Sequence, residues 1–174
     1  KDHFELQEYK GQRKYLKDVI FDLRDSAVPA LNRTKPNPDV KFPNHEFNST
    51  PLNKNSFHYM SRNRVREWNE PSFTIPATGR HIPQHPNAPK MTPKLDKNGN
   101  KIVNVMKFCS GSLKKYRRLT VRECARIQGF SDDFKFIYDN VDHGYKMIGN
   151  AVPVKFAFLI GKQIRKDLLR FDNA

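Results

Sequence analysis

A chain of 174 residues can bury one modest core, and 32 Lys and Arg against 18 Asp and Glu leave a formal net charge of +14. That balance favours a polyanionic partner, nucleic acid first. No apolar run approaches the roughly 20 residues that span a bilayer, and the N-terminus lacks a signal-peptide pattern, so a cytoplasmic protein with no membrane partner is expected. Two cysteines, Cys109 and Cys124, make no disulfide framework, in keeping with a reducing compartment. The first residue is Lys1 rather than Met, which points to a fragment of a longer product.

In chain order, Lys1 to Lys14 is charged and aperiodic and carries no assigned function. Leu16, Val19, Ile20 and Leu23 then fall at helical spacing, with Lys17, Asp18, Asp22 and Arg24 on the other side. Eleven of the twelve prolines lie between Pro29 and Pro93, which excludes long helices from the middle of the chain. Loops and short strands are expected there, with Ser56 to Met60 and Ser72 to Ile75 as strands. Asn98-Gly99, between Lys94-Leu95-Asp96 and Lys101 to Val105, signals a two-residue hairpin.

Within this region Arg62, Arg64 and Arg66 alternate, so a regular strand would put all three on one side. Arginine forks match O6 and N7 of guanine in the major groove, which makes a G-rich duplex the natural target; contact with phosphate alone is the competing reading. Arg66 could equally pair with Glu67 or Glu70. Trp68 reads as a core residue rather than a stacking platform. His81 and His85 are separated by Pro83, which breaks the helix that would aim both rings at one metal ion.

Tyr116 to Phe130 is the most closely specified stretch. Thr120 and Glu123 form a capping box, Leu119 and Cys124 a hydrophobic staple, and Gly129-Phe130 a left-handed stop. Arg122 and Arg126, with Arg117 and Arg118 at the entrance, are expected on an available cationic side. Phe134 to Asp142 reads as a short strand and turn. Pro153 opens a closing helix with Ala157, Ile160, Ile164 and Leu168 on one face and Lys155, Lys162, Arg165 and Lys166 on the other.

Tyr116 to Phe130, together with Gly144-Tyr145-Lys146-Met147-Ile148-Gly149-Asn150-Ala151-Val152-Pro153, resembles the last two motifs of the bacterial DNA cytosine-5 methyltransferases. Met60 to Ile75 and Ala77-Thr78-Gly79-Arg80 resemble the target-recognition domain of GGCC-type restriction-modification enzymes. The likeness runs from about Lys17 to Leu168. It implies that Arg62, Arg64 and Arg80 reach base edges, and that Thr74 followed by Ile75 supports a flipped nucleotide. It also implies that Asn150 and Ala151 lend an edge to an S-adenosylmethionine pocket, where some family members carry Ser in place of Ala151. Arg66 and Arg118 complete the expected DNA-binding set, Arg118 as a holder of phosphate.

The family takes its thiol from Pro-Cys, its acid from Glu-Asn-Val and its cofactor turn from a glycine-rich loop; none of these occurs in this sequence. The expected fold is therefore α+β. A linker and helix from the end of a catalytic domain occupy 1–27, a β-rich recognition lobe 28–115, a short supporting helix 116–132, and a closing motif and helix 133–174. The closing segment would return to a Rossmann-like catalytic domain. Such a chain reads duplex DNA, is inactive by itself, and works with a catalytic half from the same gene product or a separate subunit. A stand-alone DNA-binding module is the rival reading, and a general RNA-binding protein a weaker one.

Overall fold

The structure, a computed structural model, describes residues 14–171. The charged opening segment lies outside the described residues except for Lys14. The chain is a mixed helix-and-strand, α+β fold with two two-stranded sheets among the described residues.

Helix α1 (Leu16–Ile20) runs into a 3-10 turn, Phe21–Leu23. Leu16, Ile20 and Leu23 are buried, and α1 packs on α3 (Val121–Ile127). The apolar face of α1 is thus covered within this chain. Strands β1 (Val28–Pro29) and β2 (Glu46–Phe47) pair in parallel.

Ser56 to Met60 is not a strand. Ser56 Oγ accepts from the Tyr59 amide at 3.2 Å and caps α2 (Phe57–Met60). A local cap outweighs the β preference of aromatic residues, because it satisfies a helical donor at once. The Tyr59 ring is fully buried and its hydroxyl donates to Ile82 O at 3.0 Å. Ser72 to Ile75 runs without regular strand pairing, anchored by the buried Ile75.

Strands β3 (Thr92–Leu95) and β4 (Lys101–Lys107) form the expected hairpin, but through a longer loop than two residues. Gly99 donates to Asp96 O and Asp96 to Asn100 O, with Gly99 at φ +83°. Glycine takes the left-handed position that closes the turn. Asn104, also at positive φ, sits where the register slips between Pro93 and Leu95.

α3 begins and ends where its sequence dictates. Thr120 Oγ1 accepts from the Glu123 amide at 3.0 Å, and a Glu123 carboxylate oxygen accepts from the Thr120 amide at 2.8 Å. Phe130 N–H closes on Ala125 O and Gly129 N–H on Arg126 O, which is the Schellman pattern with Gly129 at φ +87°.

Phe134 to Asp142 contains no strand. Phe130, Phe134 and Phe136 cluster with centroids 4.9 to 5.3 Å apart, and α4 (Val141–Asn150) then starts on the Asn140 cap. The glycines of α4 disguise it as a turn, yet each is needed for close approach. A Cβ at Gly144 would strike the Tyr138 ring, and one at Gly149 would overlap the backbone of Ala77. Val141, Tyr145 and Ile148 form its buried face, and they join α1, α3, Ile75, Ile82 and Phe136 in the main core. A smaller cluster of Val65, Ala88, Met91 and Tyr116 lies under the hairpin.

Helix α5 (Val154–Phe171) follows Pro153, whose carbonyl accepts from Ala157. Its apolar residues stand largely in solvent, with Phe158 64% and Leu168 60% exposed.

Candidate nucleic-acid interface

The segment from Arg62 to Arg66 is not a regular strand: Arg62 lies in a bend and only Val65 is bridged. Gln84 N donates to Arg64 O at 2.8 Å, and Val65 bridges Gln84. Val65 turns into the smaller core, so its even-numbered neighbours project the other way. Arg62 and Arg64 line one cleft of about 230 Å³ with His58, Asn63, Phe73, Thr74, Pro76, His81 and Pro83. Arg66 lies over the Phe73 ring at 4.1 Å and 3.6 Å from Glu70. Arg62 and Arg64 therefore share the cleft, while Arg66 packs on Phe73 and Glu70 outside its lining.

The arginines are not equivalent. Arg62 is exposed. Arg64 is almost fully buried: its Nε donates to Tyr59 O at 2.8 Å and its Nη2 to His58 O at 2.9 Å, which fixes the fork against the end of α2. Burial, followed by the neighbouring Arg62 charge, lowers its pKa. Thr74 is exposed on the cleft. Arg80 is exposed on the 3-10 turn Gly79–His81, which Thr78 caps, and it stands beside the lining rather than within it.

The lining contains no carboxylate. Burial first, then Arg64, His58, Arg62 and Arg80 pull the His81 pKa below its usual value. The field in the cleft is thus positive, and its exposed donors suit an anionic or acceptor-rich ligand.

The arginines of Tyr116 to Phe130 behave otherwise, and the expectation of an available cationic side is corrected. Arg118 is 4% exposed and donates to Thr50 O at 3.2 Å and Asn55 Oδ1 at 2.6 Å. Its guanidinium is turned inward to tie loops together, not presented to a phosphate. Arg122 is fully buried, bonding Pro43, Ser131 and Phe134 carbonyls. Arg126 bridges Asp22 and Asp132, each at 2.7 Å. Arg117 grips Glu123 with contacts of 2.9 and 2.7 Å. Burial pushes the Glu123 carboxyl up, but Arg117, His85 and the Thr120 amide outweigh it and hold the group below its ordinary range. A capped helix of arginines looks cationic in sequence; loops folding over it supply carbonyls and carboxylates from distant positions.

His81 and His85 face different surroundings. His81 belongs to the cleft, its ring centroid 5.2 Å from that of His58. His85 is fully buried, against Trp68 at 5.1 Å and 3.5 Å from Glu123. Trp68 packs on the main core. Among the described residues no group of three or more His, Cys, Asp or Glu could hold a metal ion. Burial raises the Cys124 thiol pKa well above its ordinary value, and Cys109 Sγ lies 3.4 Å from Lys90 O.

Asn150 and Ala151 sit at the end of α4, Asn150 exposed and Ala151 at the C-cap. They are joined to the Pro76–Gly79 strip through a tight seam: Gly149 faces Ala77, and Gly79 faces the Asp142 carboxylate with no room for a Cβ at either glycine. The cleft residues given no DNA-facing role by the sequence are His58, Asn63, Phe73, Pro76, His81 and Pro83. The Ser56 cap was the available signal for His58, since it turns Phe57–Met60 into a helix whose end meets Arg64.

The described residues thus form a small α+β chain with a carboxylate-free arginine cleft, braced by a capped helix and a glycine-seamed one. The C-5 cytosine-specific DNA methylase family matches residues 1–166, and the chain belongs to this family. It is 49% identical over 158 residues to the type II methyltransferase M.FnuDI of Fusobacterium nucleatum, covering 90% of this chain and 43% of that protein. M.NgoPII of Neisseria gonorrhoeae is 50% identical over 157 residues, 89% of this chain and 42% of the relative. M.MthTI of Methanothermobacter thermautotrophicus is 49% identical over 166 residues, 95% and 47% respectively. The chain thus spans less than half the length of these relatives. No helix among the described residues is long and apolar enough to cross a membrane.

Proposed function

We propose that this chain is the sequence-reading portion of a DNA (cytosine-5-)-methyltransferase of a restriction-modification system, acting on duplex DNA of GGCC type. The observation that carries this reading is the gathering of Arg62, Arg64 and Thr74 in one cleft without a carboxylate. Arg62 is the free fork. Arg64 is buried with Nε and Nη2 held by two carbonyls, so only the Nη1 end of its guanidinium is left to meet a base edge, and little side-chain freedom is lost when it does. Arg66 and Arg80 flank the cleft and approach the adjoining backbone or bases. Thr74 offers a hydroxyl at the place where the recognition side supports an extruded nucleotide, since C5 of cytosine is out of reach inside a stacked duplex.

S-adenosylmethionine supplies the methyl group when bound. The exposed carboxamide of Asn150, with donor and acceptor both on offer, fits an edge of its pocket, and Ala151 would contribute backbone and a methyl group only. The nucleophilic thiol, the acid and the glycine-rich turn come from a catalytic half, in the same gene product or a separate subunit. The α4 seam couples this edge to the recognition strip.

The test compares binding of a GGCC duplex with duplexes in which single G·C pairs are replaced by A·T. Arg62→Ala is expected to erase roughly 1 to 3 kcal/mol of discrimination at one position. Equal binding of all duplexes by the unaltered protein would overturn the reading. Mixing with the catalytic half is expected to restore methylation, whereas unaided methyl transfer by the chain would contradict the division of labour, and failure of complementation would favour a stand-alone binder.

A further inference from the structure

Two imidazoles in the recognition cleft have no part in the arginine reading. His58 stands on α2 and His81 ends the 3-10 turn Gly79–His81, and their rings are tilted 54° with centroids 5.2 Å apart. Both line the cleft that holds Arg62, Arg64 and Thr74. We propose that the His58–His81 pair seats a DNA backbone phosphate in this cleft and takes up a proton as it does so. The inference rests on the cleft being the DNA-reading face.

The polar groups left over in the cleft are suited to an acceptor. The Asn63 carboxamide is consumed internally, donating to Val65 O and accepting from the Val65 and Met91 amides. Tyr59 turns its hydroxyl away to Ile82 O. What remains is the Thr74 hydroxyl, the Arg62 guanidinium, the Nη1 end of Arg64 and the two rings, and phosphate oxygens only accept. The charged and titratable groups facing His81 are His58 from α2, Arg62 and Arg64 from the segment ahead of Val65, and Arg80 from its own turn. The strip Phe73 to Pro76 adds none. With no carboxylate in the lining, nothing there offsets this positive charge. Burial and those cations disfavour the charged ring of His81 in the free protein. A phosphodiester brings one negative charge to the same place, cancels part of the field, and lets a proton move from solvent onto a ring nitrogen. No other bond is made or broken.

The sign follows from linkage: the bound state holds more protons, so affinity rises as pH falls. Binding of the GGCC duplex by the full chain, measured by fluorescence anisotropy from pH 8 to pH 6 at constant ionic strength, is expected to tighten by up to about tenfold per pH unit for one linked proton. His81→Gln should flatten this slope, and one neutral methylphosphonate at the seated position should do the same. Calorimetry in two buffers of different ionisation enthalpy should give different heats, the mark of proton uptake. A flat profile for the unaltered protein, a slope unchanged in both His81→Gln and His58→Gln, or a buffer-independent heat would overturn the proposal. If the variants fail to fold, calorimetry of the unaltered protein decides. Running an A·T-substituted duplex alongside separates the two claims. A pH slope without discrimination removes the arginine reading and keeps the phosphate seat; discrimination without a slope does the reverse.

Discussion

His85 sits fully buried beside Glu123, and burial, opposed in part by that carboxylate, pulls its pKa from 6.5 to about 4. His45, bonded to Thr120 Oγ1 and Leu23 O at 2.9 Å each, is also lowered by burial. A depressed histidine stabilises the fold fully above its unfolded pKa, and the contribution is lost as pH falls through the folded value, because the unfolded chain binds the proton first. Denaturant midpoints should therefore drop between pH 6.5 and about 4, with His85 alone worth roughly 3 kcal/mol over that window. His85→Gln should blunt the drop. A second residue-scale prediction separates Arg118 from Arg62. Arg118→Ala strands Asn55 Oδ1 and Thr50 O, so it should cost on the order of 3 kcal/mol of stability in a melt, with no selective change in salt dependence. Arg62→Ala should leave the melt nearly unchanged and alter base preference instead.

Among the elements, α3 depends most on its cap. Thr120 Oγ1 serves the Glu123 amide and also His45, so Thr120→Ala should cost about 2 kcal/mol, the upper end of cap substitutions, while Thr120→Ser should be nearly silent. Equal losses for Ala and Ser would place the energy in the methyl group rather than the hydroxyl. In α4 the seam glycine makes the sharper case. A Cβ at position 149 overlaps the Ala77 backbone, so Gly149→Ala must shift the Pro76-Ala77 strip that carries Thr74 on one side and Gly79 on the other. Loss of duplex discrimination alongside a lowered melting temperature is the expected outcome; lowered stability with discrimination intact would show that the strip is not coupled to α4.

At the scale of the molecule, the core lies where α1, α3 and α4 meet, the cleft to one side of it, and α5 carries apolar residues outward. Phe156, Phe158, Ile164, Leu168 and Leu169 are 45 to 64% exposed on a single helix. Apolar side chains exposed in this number on one helix favour association. Sedimentation of the 174-residue chain should show concentration-dependent self-association, reduced by the double substitution Phe158→Glu, Leu168→Glu without change in duplex preference. A monodisperse monomer at high concentration would show that α5 is covered in some other way.

Local chemistry determined the parts of this protein that need only neighbours along the chain. The Thr120–Glu123 box, the Gly129 stop, the Leu16 to Leu23 periodicity and the Asn98-Gly99 hairpin each depend on a few consecutive residues, and each is present in some form. Tertiary structure alone decided which charges are free. Whether an arginine faces solvent depends in part on groups brought from far along the chain, as Asn55 is to Arg118 at 63 positions and Asp22 to Arg126 at 104. It likewise decided that glycines at 144 and 149 mark a closely packed helix rather than a turn, because the atoms they make room for, in Val121 and Ala77, lie on other segments. Hydrogen-bond partners and steric room at such separations leave no periodic trace in sequence, and in this protein they set the exposed Arg62 apart from the buried Arg118 and Arg122, with Arg64 both buried and on the cleft.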